Sequence, residues 1–377
     1  MGPETPLYHF GPTAQILLLG ALITAAPLLW VLRRVQGRGP AALLHRLTWV
    51  TLFLTFDLVL FGAYTRLSDS GLGCPDWPGC YGQATPIGAS AQIQAAQDLM
   101  PTGPVTHGKA WVEMLHRYLA TGVGGLILVL CAGAWWLRLK GHSQRSVWWP
   151  TFTLLWVCIQ GAFGALTVTM KLFPAIVTLH LLGGVFLLAL LAWQATQTAD
   201  AAPVSGVAAH TGKGLRIALA LAGGLLWVQI ALGGWVSTNY AVLVCDTFPQ
   251  CQGSYWPDMA FAQGFELWRP LGHTSWGELL SFQALTAIHY VHRLMAYGVI
   301  AAMLALAWLL RHHRMHRWAL GLLALVCLQC LTGLSNVVLG WPMPAAILHT
   351  GGAAAMMVWI VLAWQRTRLQ PLIPIAA

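Results

Sequence analysis

The stretch Glu113-Met-Leu-His116-Arg117 stands at the start of one apolar segment, and His289-Tyr-Val-His292-Arg293 stands at the start of another. Each stretch is followed by one more histidine within a later apolar segment, His180 in the first half and His349 in the second. Four histidines therefore recur at matching positions in two halves of the chain. What they do depends on the environment that these segments occupy.

The composition is that of a membrane protein. Hydrophobic residues make up 57% of the 377 residues and charged residues only 8%, against roughly a quarter charged in an ordinary soluble domain. Such a chain cannot cover a water-soluble surface with polar groups. The net charge of +9 lies in short loops, where basic residues orient a membrane protein, and we do not interpret it as a nucleic-acid-binding surface.

Nine segments are apolar over about 20 residues, the length needed to cross the hydrocarbon core. Basic residues follow the first segment rather than precede it, which does not fit a signal peptide and predicts a retained helix. The segments are 13–32, 47–65, 115–137, 148–170, 175–196, 215–237, 287–310, 318–340 and 346–365.

The loops alternate in charge, which predicts the orientation of the chain. The basic loops all fall on one side, which the positive-inside rule assigns to the cytoplasm; they are 33–46, 138–145, 213–216, 311–317 and 366–368. We therefore expect a multi-pass protein of a bacterial plasma membrane, with a periplasmic N-terminus and a cytoplasmic C-terminus. Two long loops, 66–112 and 238–286, lie on the opposite side.

An internal repeat relates residues 47–196 to residues 215–366. Gly62 corresponds to Gly233 and the pair Cys74/Cys80 to Cys245/Cys251 at an offset of 171, while Gln160, Gly164 and His180 correspond to Gln329, Gly333 and His349 at an offset of 169. Two units with the same even number of spans share one orientation, as in parallel repeats. We predict an all-α polytopic protein of two pseudo-symmetric four-helix bundles, with eight core helices. Residues 1–46 add one extra N-terminal transmembrane helix.

The four histidines are candidates for haem ligands. Imidazole suits iron, and helices of a bundle can present such side chains toward its core. The alternative is that each histidine hydrogen-bonds a carbonyl group or a water molecule. Recurrence through the repeat, next to small residues that leave room for a flat macrocycle, favours ligation. We therefore predict one haem site in each half.

The halves differ at one informative position. Glu113 stands three residues before His116, whereas His289 stands three residues before His292. Residues at i and i+3 share a helix face, so Glu113 would face the same pocket as the ligand and could exchange a proton there. The alternative is an acid at a helix N-terminus, where it favours the macrodipole. The local pattern does not decide between the two.

Three arginines lie close to the candidate sites: Arg66, Arg117 and Arg293. Guanidinium groups bind carboxylates in a bidentate manner, so haem propionates and lipid phosphates are both candidate partners. Asp57 lies within an apolar segment, where it could move protons or be protonated and hydrogen-bonded. Neither pattern chooses between these alternatives.

The outer cysteines form two pairs with the same gap, Cys74/Cys80 and Cys245/Cys251. Thiols on the extracytoplasmic side oxidise, so we predict two disulfides. Each disulfide could simply close its loop, or it could pass electrons beside a haem. Loop closure is slightly favoured.

Two motifs of the first half, taken together with the repeat, resemble those of a known protein family. Gly62-Ala-Tyr-Thr-Arg-Leu-Ser-Asp-Ser-Gly-Leu-Gly-Cys-Pro-Asp-Trp-Pro-Gly-Cys80, followed by Glu113-Met-Leu-His-Arg117 and by the repeat with His292 and His349, resembles the haem A synthase family. The resemblance covers about residues 47–366. It implies eight spans in two four-helix halves. It also implies oxidation of a methyl group of haem O to a formyl group by successive hydroxylations, giving haem A for terminal oxidases.

The resemblance also implies roles for individual residues. His292 and His349 would hold a haem B cofactor, and His116 and His180 would receive the substrate haem. Glu113 would take part in catalysis, and cysteines of the first outer loop would assist substrate transfer or redox chemistry. The implied partners are haem O, the haem O synthase (protohaem farnesyltransferase), oxidase assembly factors and membrane lipid, with a homo-oligomer left open. The first helix departs from the eight-span pattern.

Two other functions use the same histidines. One is a dihaem cytochrome b-type electron carrier, whose function gives no reason for a carboxylate in just one of the two pockets. The other is a haem transporter or chaperone, which delivers haem without a chemical reaction. The difference between Glu113 and His289 favours a catalytic half and an electron-handling half.

Overall fold

The computed structural model describes residues 11–141, 146–197 and 213–368, and within these ranges the secondary structure is helical. Nine helices of the described ranges are long and apolar enough to cross a membrane, which confirms an all-α multi-pass membrane protein. The two chain ends and Arg145 of the predicted basic loops lie outside the described residues. The helices are α1 (Gly11–Arg34), α2 (Pro40–Leu67), α3 (Ser90–Leu99), α4 (His107–Leu139), α5 (Trp148–Thr169), α6 (Pro174–Gln197), α7 (Lys213–Thr238), α8 (Phe261–Gly264), α9 (Phe282–His312), α10 (His316–Val338) and α11 (Met343–Arg368).

The long helices carry apolar side chains around their whole circumference. Large residues such as Leu17, Phe53 and Leu155 are exposed on the protein surface, which in a bilayer is the surface that faces lipid. Backbone groups bond within each helix because hydrocarbon offers no other partner. Threonine hydroxyls follow the same rule, and Thr51 and Thr55 each donate to the carbonyl four residues earlier.

Helix α2 begins at Pro40, seven residues before the predicted segment 47–65, and two further helices also begin well before their predicted segments. The segment 115–137 lies within α4, which starts at His107, and the segment 287–310 lies within α9, which starts at Phe282. The hydroxyls of Thr106 and Ser281 cap these helices, accepting hydrogen bonds from backbone N–H groups of the first turn. Hydropathy detects only the part of a helix that crosses the hydrocarbon core. The additional turns of α4 and α9 lie outside that core and connect directly to the outer loops.

The first compact unit is Met1–Leu172 and is built around α4. Helices α1, α2, α3 and α5 all pack against α4. Small residues allow α1 to approach closely, and the Thr24 hydroxyl bonds the carbonyls of Gly20 and Gly122 at 2.8 and 3.0 Å. A methyl group at Gly125 would lie 2.2 Å from Thr24 Oγ1. The extra N-terminal helix is therefore an integral part of this unit.

The second compact unit is Phe173–Ala377 and contains a closed four-helix arrangement. Helix α7 packs on α9, α9 on α10, α10 on α11 and α11 on α7, so α9 and α11 lie diagonally across the bundle. Helix α6 packs on α7 and α11 and so belongs to this unit. The prediction grouped α6 with residues 47–196; that domain boundary, and the pseudo-symmetry of two complete bundles, stay predictions.

Substitution of Gly125 tests the contact between α1 and α4. We expect Gly125→Leu to lower the free energy of unfolding by about 1–3 kcal/mol, the usual cost of overpacking a tight contact. Gly124→Leu is the matched control, because no atom lies within 4 Å of a methyl group at that position. Thermal unfolding in detergent measures both variants. Equal melting temperatures for the two would contradict the packing of α1 on α4.

Candidate functional site

Each unit carries a short loop closed by a disulfide on the side opposite the basic loops. Cys74 is bonded to Cys80 and Cys245 to Cys251, with Cα–Cα distances of 4.9 and 4.6 Å. The two predicted disulfides are confirmed. We call residues 74–80 the first disulfide loop and residues 245–251 the second. Whether either disulfide passes electrons stays a prediction.

The first disulfide loop is held by an arginine of α4. Arg117 Nη1 donates to the carbonyls of Asp76, Pro78 and Gly79 at 2.9, 3.1 and 2.6 Å. Carbonyl groups in a tight loop have few backbone partners, and a guanidinium group supplies several donors in one plane. Arg117 therefore ties the loop to the helix that also carries His116.

The second disulfide loop is held in the same way by α9. Arg293 donates to the carbonyls of Thr247 and Gln250 at 2.8 and 2.9 Å, and to that of Cys245 at 3.2 Å. Thr247 and Gln250 correspond to Asp76 and Gly79 at the repeat offset of 171. The repeat thus extends to individual hydrogen bonds.

These contacts change the interpretation of the arginines. The terminal nitrogens of Arg117 and Arg293 donate to loop carbonyls, and these contacts support anchoring of the loops. Propionate binding by either arginine stays a prediction. Arg66 is half-buried in the last turn of α2, and its propionate contact stays a prediction as well.

Glu113 joins helix α4 to the first disulfide loop. Its side chain is buried, and the residue is 4% exposed. One carboxylate oxygen lies 2.5 Å from Arg117 Nη2, and the other accepts the N–H of Cys74 at 2.8 Å. Glu113 lies inside α4 rather than in its first turn, so the interpretation as a helix N-terminal acid is wrong. The structure therefore places a buried carboxylate on the helix that carries His116, three residues before it.

His289 occupies the corresponding place in the second unit but makes a different contact. It is buried, and its Nδ1 lies 2.9 Å from the carbonyl of Ala241. A carbonyl only accepts, so Nδ1 is the donor. His289 thus anchors the loop before Cys245 as a hydrogen-bond donor, whereas Glu113 anchors the loop at Cys74 as an acceptor. The second unit has no carboxylate at this position.

The histidines of the two stretches make the same close contact with a glycine. A methyl group at Gly62 would lie 3.0 Å from His116 Nε2, and one at Gly233 would lie 3.0 Å from His292 Cε1. Phe61 lies nearly parallel to the His116 ring, with ring centroids 6.3 Å apart. The repeat therefore places each imidazole against the backbone of a neighbouring helix, α2 in one unit and α7 in the other.

His349 is held in one tautomer. The Thr332 hydroxyl donates to the carbonyl of Leu328 at 2.7 Å and lies 3.0 Å from His349 Nδ1. Because its hydrogen is already used, the hydroxyl oxygen accepts a hydrogen bond from Nδ1–H. The lone pair then remains on Nε2, as in a metal-ligating histidine whose other ring nitrogen donates a hydrogen bond.

His292 lies on α9 and His349 on α11, the two helices on the diagonal of the closed bundle. A methyl group at Gly333 would lie 3.1 Å from His349 Cε1. Gln229 Nε2 donates to His292 Nδ1 at 3.1 Å, so the neutral ring of His292 carries its hydrogen on Nε2, unlike that of His349. The two imidazoles are candidate axial ligands of a haem, and only His349 is held in the ligating tautomer.

The remaining predicted residues are placed separately. His180 is half-buried on α6 in the second unit, two residues after Thr178, whose hydroxyl bonds that of Thr238 at 3.2 Å. His116 belongs to the first unit. Their pairing on one haem stays a prediction. Asp57 is exposed on α2, and its role is not assigned.

Gln229 and Thr332 were not among the residues predicted from the sequence. Gln229 stands four residues before Gly233 and Thr332 stands directly before Gly333, so both lie beside glycines that the repeat had singled out. Their repeat equivalents are Leu58 and Phe163 (229 minus 171, and 332 minus 169). Only the second half has side chains at these positions that can hydrogen-bond an imidazole.

The fold and these side chains define a class: a helical membrane protein with histidines facing a bundle core and disulfide loops anchored above them. Comparison with known sequences gives the family. A profile described as cytochrome oxidase assembly protein matches residues 45–361, and the chain belongs to that family. Helix α1 precedes the matched region.

Several curated relatives carry the name haem A synthase. The protein of Shewanella oneidensis is 40% identical over 321 residues, covering 84% of this chain and 95% of the relative. That of a Chelativorans species is 30% identical over 349 residues, covering 85% and 91%. That of Hyphomonas neptunium is 26% identical over 339 residues, covering 83% and 90%.

Substitution of Gly333 tests the position of His349. A methyl group there meets the imidazole, so we expect Gly333→Ala to weaken haem retention by about tenfold, the scale for disturbing the surroundings of a metal ligand. Gly298→Ala on α9 is the control, because nothing lies within 4 Å of a methyl group there. The haem-to-protein ratio of the purified variants measures the effect. Equal ratios would contradict the assigned ligand geometry.

Substitution of Arg117 tests the anchor of the first disulfide loop. Arg117→Gln leaves Glu113 buried without its cation, a change that costs about 3–5 kcal/mol in buried ion pairs. We expect Cys74 and Cys80 to be reduced and labelled faster under limiting reductant, while Cys245 and Cys251 are unaffected. Mass spectrometry of labelled peptides measures this.

Arg293→Gln provides the reciprocal control. It should accelerate labelling of Cys245 and Cys251 and leave the first pair unchanged, because Arg293 binds only the second disulfide loop among the contacts described. Equal labelling of both pairs in both variants would show that the arginines do not anchor the loops individually.

Proposed function

We propose that the protein is a haem A synthase, an oxidoreductase that converts a methyl group of haem O to a formyl group. The observation that carries the proposal is Glu113, a buried carboxylate beside a candidate haem ligand in one half only. Membership of the cytochrome oxidase assembly protein family and relatives named haem A synthase support the same function. We place the protein in a bacterial membrane, with the basic loops in the cytoplasm and the N-terminus in the periplasm.

The second half would hold a haem B cofactor between His292 and His349. Support comes from the fixed tautomer of His349, the contact of Gln229 with His292 and the location of the two histidines on the diagonal helices of one bundle. When bound there, haem B would take up electrons and pass them on. The protein contributes ligand orientation, through Thr332 and Gln229, and space, through Gly233 and Gly333.

The first half would receive haem O through His116 and His180. At the positions equivalent to Gln229 and Thr332, this half has Leu58 and Phe163, side chains that cannot hydrogen-bond an imidazole. A resident cofactor needs ligands that are held firmly, whereas a substrate has to enter and leave. Polar residues at these positions support a cofactor in the second half, and apolar residues support a substrate in the first half.

Glu113 would accept protons during the oxidation. Converting a methyl group to a formyl group with oxygen from water releases protons and electrons in equal number, so a base near the substrate is needed. The carboxylate is bonded to Arg117 and to the N–H of Cys74, which fixes its position. Protons leaving it would pass toward the side of the disulfide loops.

The product haem A would serve terminal oxidases. Haem O would come from the haem O synthase, a farnesyltransferase acting on protohaem, and oxidase assembly factors would take the product. Transfer between these proteins keeps a poorly soluble haem out of water.

Variants of Glu113 test its role against simple anchoring of the loop. Glu113→Gln keeps an oxygen that can accept from the N–H of Cys74 but cannot act as a base, whereas Glu113→Ala removes both functions. We expect Glu113→Gln to bind haem normally and to lose haem A formation by about a hundredfold or more, the scale of general base catalysis. Extraction and chromatography of the haems after incubation with haem O measures both properties.

Glu278→Gln is the control, since Glu278 is an exposed carboxylate of the outer loop before α9. It should form haem A at the rate of the unmodified protein. Full activity of Glu113→Gln combined with loss in Glu113→Ala would assign Glu113 to anchoring only. If the purified protein held haem B in both halves and no other haem, the proposed haem A synthase function would be wrong.

A further inference from the structure

An apolar crevice lies among α6, α7 and α11 in the second unit, away from the histidines. Its volume is about 180 Å³, and it is partly open to the exterior. Trp193 and Trp364, which stand at equivalent places in the repeated stretch Leu-Ala-Trp-Gln, both contribute to its wall. The lining residues are Trp193, Leu219, Ala220, Gly223, Met357, Ile360, Val361 and Trp364.

A guanidinium group lies one helical turn beyond the lining residues of α7, toward the basic loops. Arg216 lies one turn before Leu219 and Ala220 on the same face of α7, and its Nη2 donates to the carbonyl of Thr367 at the end of α11 at 2.8 Å. Arg216 thus bridges two of the helices that form the wall. Its Nε atom is buried and has no hydrogen-bond partner among the described residues.

Two further buried donors at the same end lack partners within the described part of the chain. They are Nε1 of Trp364, which lines the crevice, and Nε2 of the next residue, Gln365, which is 1% exposed. A buried donor without an acceptor is unfavourable. Lys213 and the first turn of α7 add positive charge at this end, and helix N-termini favour anions.

We propose that this crevice binds an anionic phospholipid of the leaflet next to the basic loops. The phosphate accepts hydrogen bonds at the end formed by Arg216 and Trp364, and part of one acyl chain lies against the apolar wall. The wall from Arg216 to Gly223 extends over roughly 10 Å of helix, enough for a section of one chain. A free phosphate ion would leave the apolar wall uncovered.

The chemistry of the crevice favours a net negative headgroup. In a zwitterionic lipid the choline cation offsets the phosphate charge, whereas phosphatidylglycerol presents an uncompensated anion to Arg216 and Lys213. Basic residues near a membrane surface attract anionic lipid in this way. Gly223 keeps the wall open, since a methyl group there would meet only Ile360, at 3.7 Å.

Native mass spectrometry of the detergent-purified full-length protein tests the proposal. The protein is incubated with phosphatidylglycerol or phosphatidylcholine of identical acyl chains, and retained lipid is counted. We expect preferential retention of one phosphatidylglycerol. Arg216→Gln should reduce it by about fivefold, the ratio expected for one basic residue near anionic lipid.

Gly223→Leu should reduce retention of both lipids, because the side chain fills the crevice. Ala220→Leu fills it from the same helix and serves as the second variant if Gly223→Leu unfolds, which melting temperature and haem content reveal. Arg317→Gln is the control, since Arg317 is exposed on the same side at the start of α10. It should retain lipid like the unmodified protein.

Three results of the lipid-retention measurements would overturn the proposal, and a fourth comes from competition with phosphate. The three are equal retention of the two lipids, unchanged retention of phosphatidylglycerol in Arg216→Gln, and retention in the filled variants equal to that of the unmodified protein. Release of the lipid by millimolar inorganic phosphate alone would also overturn it, because the site would then recognise an ion rather than an amphiphile.

Discussion

The contact between an imidazole ring and a glycine backbone sets the dimensions of both units. His116 lies against Gly62, His292 against Gly233, and a third ring, His349, against Gly333. A side chain at any of these glycines would move either the ring or the helix behind it. Helix spacing and ring position are therefore determined together. Packing in a membrane commonly uses small residues for close approach, and here the approaching group is a candidate ligand.

The arginine that follows each first histidine extends this constraint to the outer loops. Arg117 and Arg293 bind equivalent carbonyls of the two disulfide loops, so each loop is attached one residue from a candidate ligand. Movement of the loop and movement of the helix are thus coupled. The units differ at the next contact, where Glu113 accepts from a backbone N–H and His289 donates to a carbonyl.

Much of this arrangement could be predicted from the sequence. Apolar length predicted the spans, and the repeat identified the glycines next to His116 and His292 and both disulfides. The starts of α4 and α9 were missed because polar turns outside the hydrocarbon core carry no hydropathy signal. The anchoring role of Arg117 was missed because backbone carbonyls are present at every residue and leave no trace in a sequence pattern.

Other features depend on packing that no local pattern specifies. The grouping of α6 with α7 and α11 follows from helix surfaces that are apolar on all sides, so composition does not identify the partner. Thr332 could have been found from its place beside Gly333. Its effect on the tautomer of His349, however, depends on the hydrogen bond that its hydroxyl donates to the carbonyl of Leu328. Only the three-dimensional structure shows that hydrogen bond.

The unequal polarity of the two halves has a kinetic meaning. Thr332 and Gln229 hold the imidazoles of the second half in place, and the equivalent Leu58 and Phe163 of the first half have no such groups. A ligand bound by rings that polar neighbours orient dissociates slowly, which suits a cofactor that stays in place. Two side chains that the repeat does not share would then set the residence time of the haem in the second half.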